Sequence, residues 1–179
     1  IQNGSILLNQ AKSLLPTYDV FDEARYFDVA TKVQVVDFKG ERLGISICED
    51  AWSEEGLWPK QRRAYAFDPI VDMVNQGASL LINLSASPFH AGKEELRYNL
   101  FSSQARKHGM PFVYVNQIGG NDELIFDGGS MVFDGKGDPV LLAPFFKEFT
   151  QTLDIAYFTA PVVKVRNSSK IERVHQALV

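Results

Sequence analysis

Cys48 is the single cysteine of the chain, and it stands where a strand-like run ends. Gly44-Ile45-Ser46-Ile47-Cys48 is apolar and β-branched, and it gives way at once to Glu49-Asp50. A buried strand that stops at a cysteine puts the sulfur at the strand's carboxyl end, where ligand sites gather in α/β sheets. The chemistry on offer is nucleophilic attack, which needs a thiolate and therefore a nearby cation, helix N-terminus or base. The plainer alternative is a small core residue, because cysteine is commonly buried and inert.

Two kinds of partner are available. Of the three histidines, His108 closes a helix pattern and His175 lies in a polar tail, which leaves His90 in Ser87-Pro88-Phe89-His90 for a Cys–His dyad. The other partner is Lys12, which heads Lys12-Ser13-Leu14-Leu15-Pro16-Thr17-Tyr18-Asp19-Val20-Phe21-Asp22-Glu23. A lysine heading an apolar, proline-containing loop is unusual, although most lysines are simply surface residues. Two further loops follow apolar runs. Asn83–Phe89 supplies small hydroxyls, with Lys93 six residues beyond Ser87, and Asn116–Glu123 is rich in glycine and acid. Serine in such a place also serves as an ordinary turn residue, and the second loop also reads as a glycine turn with solvated charges. No phosphate loop of the G-x-x-x-x-G-K-[ST] type is present, and the cysteine and histidines do not make a zinc pattern. No metal is therefore expected.

The elements that must position these residues are short. Strands are predicted at Val33–Phe38, Arg42–Cys48, Leu80–Leu84, Phe112–Asn116, Ser130–Phe133, Val140–Leu142 and Thr152–Ile155. Leu80–Leu84 and Phe112–Val115 are nearly continuous apolar runs, as in strands buried on both faces. Asp68-Pro69 offers an N-cap and a first-turn proline for a helix that Gly77 ends. A second helix runs from about Glu94 to His108, with Leu96, Leu100, Phe101 and Ala105 as its apolar stripe. Arg106, Lys107 and His108 suit its negative end, and Gly109 and Pro111 stop it. Helices leading into buried strands make an α/β chain. In 118–143, the clusters Gly119–Asp122, Asp127–Gly129 and Asp134–Gly137 predict turns between antiparallel strands. Ile1–Ser5 reads as a turn leaving an earlier strand, and Lys170–Val179 as a polar tail with a weak helical pattern.

Bulk properties narrow the function. The chain's 179 residues, 45% of them apolar, suffice for one domain with a core. A net charge of −4 offers no basic stripe for nucleic acid. No apolar run is long enough to span a bilayer, and no signal peptide is visible. One cysteine cannot form an internal disulfide, which fits a reduced, cytoplasmic setting.

Four segments together resemble the nitrilase (carbon–nitrogen hydrolase) superfamily: Lys12–Glu23, Ile47-Cys48-Glu49-Asp50-Ala51-Trp52, Leu84–Lys93 and Asn116–Gly129. Within it they are most similar to the amidase domain of the glutamine-dependent NAD+ synthetases. The resemblance implies an α-β-β-α sandwich and a Glu–Lys–Cys triad. In it, Cys48 matches the nucleophile and Lys12 the lysine that stabilises the tetrahedral intermediate, with the backbone N–H of Glu49 as a second oxyanion donor. It also places Tyr18, Glu23, Trp52, Ser87 and Lys93 among glutamine-binding positions. Glu23 and Lys93 would complement the ammonium and carboxylate of the amino acid, and Glu23 has orientation of Lys12 as its other role. The implied reaction releases ammonia from glutamine, and the ammonia passes to a synthetase domain that uses ATP and magnesium. Homo-oligomers are implied as well. The alternatives are an amidase or nitrilase acting on another amide, a Cys–His hydrolase built on His90, and a non-catalytic scaffold.

The family's general-base glutamate precedes the lysine motif, and only eleven residues precede Lys12 here. The chain therefore reads as the C-terminal part of one amidase domain, without its first strands and helix, without that base and without the synthetase domain. Glu23 and Glu49 are the nearest carboxylates, but neither sits at the matching position. Loss of a general base lowers a rate by about 10²–10⁴-fold, so weak turnover by this chain alone is expected.

Overall fold

The computed structural model describes residues 1–53, 65–154, 156 and 169–179. The chain divides into two compact units, Ile1–Asn83 and Leu84–Val179.

The first unit opens with the expected turn. Gln2 and Ser5 exchange both backbone hydrogen bonds at 2.9 Å, around Asn3 and Gly4 at φ 50° and 79°. A long irregular stretch follows, broken by one 3₁₀ turn at Glu23–Arg25. Strand β1 (Val35–Phe38) then pairs antiparallel with β2 (Glu41–Ile47), in the register Val35↔Gly44 to Phe38↔Glu41. β1 starts two residues later than predicted because side chains claim the backbone ahead of it. The Val33 carbonyl accepts from Gln76 Nε2 at 3.0 Å, and the Gln34 N–H donates to Gln10 Oε1 at 3.0 Å.

Helix α1 (Pro69–Asn75) begins as its sequence dictates. Asp68 Oδ1 accepts from the N–H groups of Ile70 and Val71 at 3.0 and 3.1 Å, satisfying two of the donors a helix start leaves over. Gly77 follows its end at φ 86°. Ile70 and Met73 are buried beneath it. β2 lies between β1 and β3 (Leu80–Ser85) in the sheet order. Gly44 is required there: a Cβ would come within 2.9 Å of Leu81 Cδ2 and 3.2 Å of Met73.

In the second unit, helix α2 (Lys93–His108) ends on left-handed Gly109. β4 (Phe112–Asn116), β7 (Met131–Phe133) and β8 (Pro139–Leu142) pair antiparallel in that order. β5 (Ile118–Asn121) and β6 (Leu124–Asp127) form a separate hairpin. Gly119 and Gly120, predicted to turn, lie in β5, and the turn is made by Asp122-Glu123 with Asp122 at φ 51°. The core gathers on aromatic rings: Phe101 stacks on Tyr114 at 4.2 Å and meets Phe112 at 5.0 Å. Residues Thr152–Asp154 of the predicted last strand are not in a strand, and Ile155 lies outside the described residues. Helix α3 (Lys170–Leu178) has a reciprocal cap between Ser169 and Glu172. Arg173 pairs it to Glu94 of α2.

The predicted stripe of α2 needs correction. Leu100, Phe101 and Ala105 are fully buried, but Leu96 is 37% exposed. The buried face begins at Glu94 and runs through Arg97, Leu100, Phe101, Gln104 and Ala105, which is helical spacing with two charged residues in it. No described helix is long and apolar enough to cross a membrane.

Candidate active site

β2 stops at Ile47 because the next residue leaves the extended region. Cys48 has φ 44°, in the left-handed region, and opens a 3₁₀ turn, Cys48–Ala51. Such a conformation costs a non-glycine residue about 1–3 kcal/mol and persists only where the surroundings hold it. Asn83 does some of the holding. Its Nδ2 donates to the Cys48 carbonyl at 3.2 Å and to Ser46 Oγ at 2.9 Å, and Ser46 Oγ donates to the Ile82 carbonyl at 3.2 Å. The thiol itself is half-buried.

Asp50, two residues on, holds the other side. Its Oδ2 accepts from the Ile47 N–H at 3.0 Å, and its Oδ1 from the N–H groups of Ser13 and Leu14, both at 2.8 Å. The carboxyl is 1% exposed. Burial pushes its pKa up from 3.8, against the pull of those three backbone hydrogen bonds and of the Lys12 charge.

Lys12 precedes the two amides that Asp50 holds. Its Nζ donates to both oxygens of Glu23, at 2.7 and 2.6 Å, with the two side chains 14% and 24% exposed. The loop between them is closed by Glu23 N–H to the Pro16 carbonyl at 3.1 Å and by Ala30 N–H to the Lys12 carbonyl at 2.9 Å. The carboxylate of Glu23 is thus turned toward the lysine. Glu49 is 4% exposed, and its carboxylate accepts from two phenols, Tyr18 at Oε2 and Tyr65 at Oε1, each at 2.8 Å. Trp52 is buried, and its N–H donates to the Glu49 carbonyl at 2.8 Å. The first unit therefore brings Lys12 to Glu23 and Tyr18 to Glu49, and ties the Lys12 loop to the Cys48 turn through Asp50.

Ser87 and Lys93 belong to the second unit. Lys93 is half-buried at the first position of α2, its N–H donating to the His90 carbonyl at 3.0 Å. Ser87 is 2% exposed and enclosed in a polar network. Arg97 Nη1 donates to both Asp127 oxygens at 2.7 and 2.9 Å. Its Nη2 donates to the carbonyls of Ser87 and Pro88 at 2.9 Å, and its Nε to Ser87 Oγ at 3.3 Å. All three guanidinium nitrogens donate. Asn116 accepts from the Ser87 N–H at 2.9 Å and donates to the Gly128 carbonyl at 2.9 Å.

Asp50, Asn83, Tyr65 and Arg97 are the residues that sequence reasoning missed. Asp50 had a signal, its place two residues after Cys48, but its partners lie 36 and 37 positions upstream. Arg97 had none, since its acid lies 30 residues away. Among the described residues no cluster of three or more His, Cys, Asp or Glu could hold a metal ion.

Comparison with known proteins identifies the family. The carbon-nitrogen hydrolase family pattern matches residues 1–160. A glutamine-dependent NAD(+) synthetase of Synechocystis sp. is 44% identical over 153 residues, which are 82% of this chain and 27% of that protein. One from Thermotoga maritima is 37% identical over 156 residues, 87% of this chain and 25% of the relative. The chain thus spans about a quarter of the length of these relatives. Among solved structures, the glutamine-dependent NAD+ synthetase of Acinetobacter baumannii in complex with ADP superposes with a TM-score of 0.82 at 30% identity, covering 99% of this chain and 32% of that one. A carbon-nitrogen hydrolase from Helicobacter pylori G27 shares the fold, with a TM-score of 0.63 at 23% identity over 79% of this chain and 49% of that one. The fold is the α/β fold of the nitrilases, and the chain belongs to the carbon–nitrogen hydrolase family.

Proposed function

We propose that the chain carries the glutamine-amidohydrolase machinery that supplies ammonia to an NAD+ synthetase. One observation carries the reading: the loop that bears the Lys12–Glu23 pair is hydrogen-bonded, through Asp50, to the strained turn that bears Cys48. A nucleophile and a backbone amide on one short turn, with a fixed cation on the loop tied to it, are the parts that acyl transfer needs.

Cys48 Sγ attacks the side-chain amide carbon of glutamine. The oxygen of the tetrahedral intermediate takes its negative charge between the Lys12 ammonium and the Glu49 N–H. Collapse breaks the C–N bond, and the nitrogen leaves as ammonia with the thiol's proton. The glutamyl thioester that remains is attacked by water, giving glutamate and restoring the thiol. Lys12 serves only if it stays in place as charge develops, and Glu23 supplies that restraint with both its oxygens. A proton carrier is still needed. Glu23 is turned to Lys12 and Glu49 accepts from two tyrosines, so the general base is assigned to a family glutamate that precedes the lysine motif.

By the family resemblance Tyr18, Trp52, Ser87 and Lys93 are assigned to glutamine binding in this reading, with Lys93 complementing the substrate carboxylate. ATP and magnesium act in the synthetase domain, where the acid that receives ammonia is activated. The reaction suits a reduced cytoplasmic setting, and homo-oligomeric assembly follows the family.

Because Cys48 is the only thiol, alkylation reports on the site alone. Glutamine should protect Cys48 saturably against iodoacetamide. Protection by simple amides but not by glutamine would move the function to another amidase.

A further inference from the structure

Resting on that reading, we propose that Asp50 is the positioning residue of the pair, the group that sets where Lys12 stands relative to Cys48. Its contacts flank both residues. Oδ1 holds the amides one and two positions after Lys12, and Oδ2 holds the amide one position before Cys48. One rigid carboxylate thus spans two segments more than thirty residues apart, and its two oxygens are divided between them.

A purely local role explains less. Closing the 3₁₀ turn requires only the bond to Ile47, which a serine or asparagine could supply without burying a charge. Taking an ionised carboxylate out of water is expensive unless its hydrogen bonds are good, and here the additional bonds all go to the Lys12 segment. The Lys12 ammonium is also near enough to act electrostatically on Asp50. The Glu23 pair restrains the tip of the lysine, and Asp50 restrains the backbone it grows from. Asparagine at this position keeps one oxygen but turns an NH₂ toward a backbone N–H at the other end, so it loosens one of the two attachments.

The test is the pH profile of Cys48 alkylation by iodoacetamide in four forms of the whole chain: wild type, Lys12→Met, Asp50→Asn and the double variant. Melting is followed by circular dichroism. Lys12→Met removes the cation and should move the profile to higher pH, slowing labelling at neutral pH by about tenfold. Asp50→Asn should move it the same way by no more than that, and should add nothing in the Lys12→Met background. Three results overturn the proposal. One is a folded Asp50→Asn chain with the wild-type profile. Another is an Asp50→Asn shift of equal size with and without Lys12, which is what general loosening would give. The third is a Lys12→Met profile equal to wild type, which defeats the catalytic reading of Lys12 and this role with it. If Asp50→Asn does not fold, amide exchange in the wild-type chain decides. Slow exchange at Ser13 and Leu14 supports the latch, and exchange as fast as in a short peptide overturns it.

Discussion

Lys12–Glu23 in the first unit and Arg97–Asp127 in the second are both short ion pairs, and they differ in what surrounds them. Lys12–Glu23 is 14% and 24% exposed and stands on an irregular loop. Arg97–Asp127 is 1% and 2% exposed, and its guanidinium also holds the backbone and hydroxyl of Ser87. The first leaves an ammonium at the edge of solvent, which is what the proposed function asks of Lys12. The second fixes the loop 87–88 from within. Arginine suits the buried task because its planar fork satisfies several acceptors at once, whereas lysine is a compact point charge on a flexible stem. Burial and bond count, more than charge, separate the two pairs.

Breaking the second pair should cost most. Arg97→Ala leaves Asp127 buried without its partner, and loss of one member of a buried pair typically costs about 3–5 kcal/mol. A urea titration of the variant against wild type measures this, and a loss below 1 kcal/mol would make the pair dispensable. Lys12→Met should do the opposite, changing stability little and chemistry greatly. An oxyanion donor is worth about 2.7–4 kcal/mol, or about 10²–10³ in rate, to be read from acylation of Cys48 by glutamine followed by mass spectrometry. A variant that acylates normally would leave Lys12 a surface ion pair.

A smaller effect calibrates both. Asp68→Ala removes an N-cap whose side chain bonds Ile70 and Val71 and should cost about 0.5–2 kcal/mol in the same urea experiment, with Cys48 acylation unaltered. The smallest is a slope. Because burial raises Asp50 above 3.8, the folded chain binds that proton more tightly than the unfolded one. The contribution to stability is full below 3.8 and declines as pH rises through the raised value. Asp50→Asn does not titrate, so the wild type should lose stability relative to the variant as pH rises across the acid range. A constant difference would show that Asp50 titrates alike in both states.

Much of the fold was legible because its signals are local. Asp68, Pro69 and Gly77 delimit α1, and Gly109 ends α2, through contacts within one turn. Phe112–Asn116 is a strand as predicted, since a short apolar run of β-branched and aromatic residues suits no exposed element. The failures have a common physical origin. Leu96 looked like core and Arg97 was assigned no role, because nothing nearby in sequence announces Asp127. Gly119 and Gly120 looked like a turn, but the hairpin fixes the register and moves the bend to Asp122-Glu123.

For the site, the sequence by itself determined which residues could act: one cysteine at a strand's end, one lysine heading an apolar loop, and a carboxylate after each. Residue type and local spacing suffice for that. The tertiary structure alone decided which carboxylate serves which partner. Glu23 meets Lys12, Glu49 meets two tyrosines, and Asp50 joins the two segments. Those pairings close loops of 11 to 37 residues. No local signal fixes contacts at that separation, because they form only when the packed chain has brought the segments together and excluded the water that would otherwise compete for every one of these bonds.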